Sequence, residues 1–132
     1  MDQNIKNNYE MNGNNIVVDT NVQIYLLEGK RNVEVYLKNN FIFISVITEI
    51  ELLGWFNISD IDKKIIYSLL KSVTIVDVSQ QIKEIAISLK QQHKIKLPDA
   101  IIAATAINLG FPIISFDRGM KKMEDLNLII IT

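Results

Sequence analysis

Several acidic residues of this chain fall where carboxylates can act together. Asp19 follows the apolar run Ile16-Val17-Val18, and Asp117 follows Ile113-Ile114-Ser115-Phe116. Asp77 ends a third such run, Val73–Val76. A short, nearly all-apolar run reads as a strand covered on both faces, and open parallel sheets bind ligands outside the carboxyl ends of their strands. Two further positions merit weighing: Glu49 or Glu51, behind the run Phe41–Ile44, and Asp99, heading the segment PDAIIAATAINLG. Carboxylates gathered in one place repel, by ~1 kcal/mol in water and ~4 kcal/mol at an effective dielectric of about 20 for charges about 4 Å apart. A divalent cation reverses that sign. Oxygen-only ligands suit Mg²⁺ or Mn²⁺, while zero cysteines and a single histidine disfavour zinc. An ion held this way lowers the pKa of a coordinated water, orients it and stabilises charge on a phosphate. That is the chemistry of phosphodiester hydrolysis, and it needs no side-chain nucleophile.

Each acid also has a plainer reading. Asp99 opens a helix that is apolar on almost every side, so its carboxylate lies near buried structure, where a lone charge is costly. It can equally be a first-turn acid complementing the helix dipole. Glu49 and Glu51 flank the apolar face of Val46, Ile47, Ile50 and Leu53 symmetrically, so at ~100° per residue amphipathicity leaves them unseparated. Asp77 reads as a strand-end or capping residue. His93, among Gln91, Gln92 and Lys94, reads as a solvated surface residue. Trp55 and Phe56, behind Gly54, read as core or partner-facing rather than as base-stacking platforms.

The elements that must position these residues follow from the pattern. Runs at Ile16–Val18, Phe41–Ile44, Val73–Val76, Pro112–Ser115 and Leu128–Ile131 predict strands. Between them lie helix-like stretches. The first covers Asn21–Glu28, ended by Gly29, and the second Asn32–Lys38. Ser45 caps Val46–Trp55, Ser59 caps Asp60–Lys71, and Ser79 opens a long helix to about His93. Pro98 opens a helix over Asp99–Leu109, closed by Gly110, and Asp117–Asp125 is a short helix or turn. Strands alternating with helices predict α/β class, a three-layer α/β/α sandwich around a central parallel sheet of about four to five strands. The chain of 132 residues is one domain's worth, with 48% apolar and 22% charged residues, which excludes a largely disordered chain. Residues 1–14 are polar and aperiodic and read as a flexible tail before a single domain over 15–132; Met11 is an alternative start. No run approaches the ~18–20 apolar residues of a membrane span, and no signal peptide is visible, which fits a cytoplasmic protein. The net charge of −1 excludes a strongly basic nucleic-acid coat but leaves room for a local basic patch.

Taken together and in order, these segments resemble a known family. Val17-Val18-Asp19-Thr20-Asn21 is similar to the opening signature of PIN-domain nucleases, in particular the VapC-like toxins. Ser45-Val46-Ile47-Thr48-Glu49-Ile50-Glu51-Leu52 resembles their second motif, Leu97-Pro98-Asp99-Ala100 their third, and Ser115-Phe116-Asp117 their fourth. The resemblance spans Asn15 to Thr132. It implies a metal-dependent endoribonuclease, with Asp19, Glu51, Asp99 and Asp117 as catalytic and metal-binding acids and Mg²⁺ or Mn²⁺ as cofactor. It also selects Glu51 over Glu49, by the Thr48-x-x-Glu51-Leu52 spacing, and gives Asp77 no role. Phe116 departs from the polar residue many members carry there.

Around those acids, Thr20 and Ser115 are candidates to hydrogen-bond the ligating carboxylates. Asn21 either orients a carboxylate or the attacking water, or caps the helix. RNA needs positive charge to meet its phosphates, and Lys94, Lys96, Arg118, Lys121 and Lys122 are the candidates, with ordinary solvation as the plainer reading. The resemblance further implies a cognate antitoxin protein, an RNA substrate and homodimers. Two other readings compete: a phospho-acceptor or phosphatase α/β domain, which also places Asp at strand ends, and a catalytically silent PIN binding module.

Overall fold

The computed structural model describes residues 14–131, so the expected tail, apart from Asn14, and the question of Met11 lie outside the described residues. Five parallel strands form one sheet in the order β3-β2-β1-β4-β5. They are β1 (Asn15–Val18), β2 (Phe41–Ser45), β3 (Thr74–Val76), β4 (Ile113–Ser115) and β5 (Leu128–Ile130). The helices are α1 (Thr20–Leu27), α2 (Arg31–Leu37), α3 (Val46–Leu53), α4 (Asp60–Lys71), α5 (Gln80–Gln92) and α6 (Leu97–Leu109).

Successive strand residues point to opposite faces, and both faces are covered. Val17, Phe43 and Ile113 join Ile82, Leu89 and Ala103 of α5 and α6 in one core. Their neighbours Val18, Ile44 and Ile114 join Val22, Leu52 and Ile66 of α1, α3 and α4 in the other. This is the expected three-layer α/β/α sandwich, and it explains why the strands read as unbroken apolar runs. From β1 the chain builds outward through β2 to β3, then returns to add β4 on the other side of β1. The order reverses between β1 and β4, and a crevice opens beyond their carboxyl ends at such a point.

Local chemistry shifts several boundaries. α1 begins at Thr20, not Asn21, because Asp19 itself caps it: Oδ1 accepts from the Thr20 N–H at 2.8 Å. Asn21 therefore does not cap this helix. Ser45 accepts from the Ile47 N–H at 3.0 Å as expected, but α3 stops at Leu53 and Gly54 takes the cap. Trp55 and Phe56 consequently fall in a turn beyond the helix and are 67% and 87% exposed, which overturns the core reading for both. Gly110, in the left-handed region at φ 71°, closes α6 as anticipated. Residues Arg118–Lys122 form a 3₁₀ turn. Asp77 is exposed, and His93 is half-buried at the end of α5, between exposed Gln92 and Lys94.

Candidate functional site

The crevice beyond β1 and β4 is built around Asp19. Its side chain is only 5% exposed, and both oxygens are engaged. Oδ1 holds the start of α1, and Oδ2 accepts from the Ser115 hydroxyl at 2.7 Å. Ser115, the last residue of β4, is fully buried; its Oγ also accepts from the Asp117 N–H at 2.9 Å. One hydroxyl thus fixes two acids. Asp117 Oδ1 in turn accepts from the Gly119 N–H at 2.8 Å, capping the 3₁₀ turn. The opposite wall comes from α3, where Glu51 Oε1 accepts from the Thr20 hydroxyl at 2.7 Å. Asp99 enters from the first turn of α6.

The electrostatics tie the four acids together. Burial pushes the Asp19 carboxyl above the ordinary carboxylate range; hydrogen bonds from Ser115 and Thr20 pull it back, and the charges of Asp99 and Asp117 push it up again. Asp99 is also raised, first by burial and then by Asp117 and Glu51, with Lys96 opposing. Glu49 and Asp77 are not among the charges that act on either group. Among the described residues the one ion pair is Lys30–Glu28 at 3.4 Å, so no basic side chain neutralises the cluster by direct pairing. Among the described residues no three acidic or histidine side chains already enclose a point that could hold an ion. The donor chemistry nevertheless fits a hard divalent cation, since every charged donor is a carboxylate and the group is repulsive without one. Asp19, Thr20, Asn21, Glu51 and Asp99 line a cleft of about 370 Å³, together with Trp55 and Phe56.

The PIN domain family model matches residues 16–126. The chain belongs to the PIN domain family. The fold of this PIN domain is similar to a toxin–antitoxin complex from Klebsiella pneumoniae, with a TM-score of 0.75 and 29% identity over 86% of this chain and 95% of that one. It is likewise similar to VapBC-1 from nontypeable Haemophilus influenzae, at 0.74 and 25% over 88% and 97%. A DNA-bound VapBC from Salmonella typhimurium shares the fold at 0.78 and 17% over 89% and 98%. No curated protein matches the chain. The PIN assignment replaces the phospho-acceptor and phosphatase alternative.

The other candidate residues of this PIN domain are placed as follows. Asn21 is exposed on the cleft wall. Lys122 Nζ donates to the Lys94 carbonyl at 2.8 Å, joining the 3₁₀ turn to the α5–α6 connection and bringing two of the basic groups together. Lys96 stands at the N-cap position of α6, and Arg118 and Lys121 are exposed on the 3₁₀ turn. One contributor escaped the sequence reading. Thr48 is fully buried, with its hydroxyl 2.9 Å from that of Thr20. A carboxylate only accepts, so the single Thr20 hydrogen goes to Glu51, and Thr48 must donate to Thr20. The signal was present: Thr48 and Glu51 stand three apart on one helix side.

Proposed function

We propose that this PIN domain is a divalent-metal-dependent endoribonuclease and the toxin half of a toxin–antitoxin pair. The observation that carries the reading is the unpaired acidic cluster, in which Asp19 and Asp99 are both held above the ordinary carboxylate range by burial and by neighbouring carboxylates. Asp19, Glu51, Asp99 and Asp117 would hold Mg²⁺ or Mn²⁺. Such an ion supplies an activated water and stabilises charge on the scissile phosphate. The chain's own residues supply the rest. Ser115 and Thr20 fix the carboxylates, so little reorganisation is left for the reaction. Asn21, exposed beside Asp19, orients the water or the phosphate. Lys94, Lys96, Arg118, Lys121 and Lys122 meet flanking phosphates of the RNA strand.

The partner reading rests on the similar complexes and on a second groove. About 350 Å³ between α1, α3 and α4 is lined by Ile24, Leu27, Leu52, Ile58 and Ile66, and also by Glu28, Glu51 and Asp62. An antitoxin segment with apolar residues and a terminal Arg or Lys suits that groove and the acidic cleft beside it. Homodimers and a cytoplasmic location belong to the same proposal; among the described residues no helix is long and apolar enough to cross a membrane.

The test is cleavage of RNA in Mn²⁺ against EDTA, for wild type and Asp99→Asn. Cleavage should require the metal and fall at least about a hundredfold in the variant, as when a single electrostatic stabiliser is lost. Expression of wild type, but not Asp99→Asn, should slow bacterial growth, and co-expression of the partner should restore it. RNA left intact by wild type in Mn²⁺ refutes the nuclease and leaves a silent binding module.

A further inference from the structure

We infer that Phe116 is a positioning residue for Asp117, which it holds at the mouth of the site by resting its ring on Tyr25 of α1. The inference rests on the nuclease reading, in which Asp117 is one of the four metal-binding acids. Phe116 is also the position at which this chain departs from the polar residue many members carry, so a side chain able to hydrogen-bond gives way to one that packs. Ladder hydrogen bonds hold β4 as far as Ser115: the Asp19 N–H donates to the Ile114 carbonyl at 3.1 Å, and the Ile131 N–H to the Ser115 carbonyl at 3.0 Å. Past that point the strand has ended and side chains take over. Alternation along the strand sends Ser115 toward Asp19, whereas Phe116 packs with Ile114 against the core of α1, α3 and α4. Asp117 is thus held from both sides of the sheet, by the Ser115 hydroxyl at its N–H and by the ring of the residue before it.

The Tyr25 and Phe116 ring centroids lie 4.5 Å apart with their planes at 46°, a close aromatic pair. Tyr25 is itself held. Gly29 ends α1 at φ 75°, so the Gly29 N–H donates to the Leu26 carbonyl at 3.0 Å and the Lys30 N–H to the Tyr25 carbonyl at 3.2 Å, the two closing bonds of a left-handed helix end. That return places Lys30 Nζ over the Tyr25 ring, 3.9 Å from its centroid, where a cation is attracted to the π face. Helix α1 therefore serves the site twice. Its first turn carries Asp19 and Thr20, and its last turn supports Phe116. Neither Tyr25 nor Phe116 lines the acidic cleft, so the pair acts through Asp117 and not on a bound ligand. The exposed Asp117 carboxylate caps a five-residue 3₁₀ turn, and it keeps its place only as well as that turn does.

The test is amide exchange by NMR on the full chain in metal-free buffer, followed by Mn²⁺ titration in a calorimeter. The Asp117 and Gly119 N–H groups report the two bonds at issue, and the Val17 N–H, bonded to the Pro112 carbonyl inside the sheet, reports the fold as a whole. Phe116→Leu and Tyr25→Leu should each speed exchange at Asp117 and Gly119 roughly three- to tenfold, the worth of one aromatic pair, with a smaller change at Val17. The double variant should be no worse than either single one, because the two rings form one contact. Phe116→Tyr and Tyr25→Phe keep both rings and should behave as wild type. Mn²⁺ affinity should fall by a similar factor in the leucine variants, and RNA cleavage at saturating Mn²⁺ should recover with KM for RNA unchanged. Unchanged exchange at Asp117 and Gly119 overturns the inference, as does a change equal to that at Val17, which would make the pair a general stabiliser. Additive effects in the double variant overturn it too. If wild type takes up no Mn²⁺, the nuclease reading fails, while the exchange rates still decide whether Phe116 holds Asp117.

Discussion

Replacing Ser115 by alanine removes the one hydroxyl that holds two acids of the site. Ser115 is fully buried, donating to Asp19 Oδ2 at 2.7 Å and accepting from the Asp117 N–H at 2.9 Å. A hydrogen bond to a charged group contributes ~1.5–3 kcal/mol, and a buried donor left without a partner costs ~1–3 kcal/mol. Asp117 is exposed, so water can reach its side of the gap and the lower end of the second range applies. The expected loss is about 2–4 kcal/mol in metal-free buffer at pH 7. That loss should depend on pH. Burial already raises the Asp19 carboxyl above its ordinary value of 3.8, and Ser115 is the first of the groups that lower it, so the variant raises it further. A carboxyl raised by folding stabilises the fold below its unfolded pKa, and that contribution is lost as pH rises through the folded pKa. The deficit of Ser115→Ala should therefore be largest at neutral pH. It should shrink toward pH 4, where a protonated Asp19 loses only a neutral hydrogen bond of ~0.5–1.5 kcal/mol. Urea unfolding at both pH values measures it. A deficit equal at the two pH values, or below about 0.5 kcal/mol at pH 7, would refute the view that Ser115 acts on the Asp19 charge.

Asp99→Asn should raise the metal-free melting temperature, since it removes a carboxylate disfavoured by its surroundings, and should abolish the gain that wild type shows in Mn²⁺. For wild type that gain is ~2.7 kcal/mol at an ion concentration a hundred times Kd, read by thermal melts with and without metal. Glu51→Gln should lose RNA cleavage while Glu49→Gln keeps most of it; equal losses in a cleavage assay would contradict the assignment. Thr48→Val leaves Thr20 without its donor and should weaken Mn²⁺ binding about tenfold by calorimetry, with Thr48→Ser restoring it. Gly54→Ala should destabilise by roughly 1–3 kcal/mol in urea, because its Cβ would stand 2.6 Å from the Ile50 carbonyl oxygen, a backbone atom that cannot step aside.

The sheet was legible because its strands are buried on both faces: Val17 and Val18 serve different cores, and each had to be apolar. The same fact located Asp19 and Asp117, since the apolar requirement ends where the strand does. Glu51 was legible only through family spacing. What separates it from Glu49 is a hydrogen bond from Thr20 on another helix, 31 residues away in sequence, which no pattern within α3 encodes. Asn21 was misjudged as a possible cap because Asp19 serves as both site carboxylate and helix cap. Trp55 and Phe56 read as either core or partner-facing because hydrophobicity alone carries no direction; Gly54 ends the helix just before them and turns them out, which removes the core half of that reading.

The double use of Asp19 also bears on how such a chain loses its activity over generations. Asparagine caps a helix as well as aspartate does, and it removes a charge that the buried site resists. The codons for the two residues differ by one base. On the proposed function, a lineage burdened by the active protein therefore has a one-step route to a silent one whose α1 start is still capped. Folding would exert little pressure against that step, and such a silenced copy would keep the apolar groove beside α1 intact. On the proposed function, disarmed copies that fold well and still occupy the proposed partner are the expected genetic debris of this site.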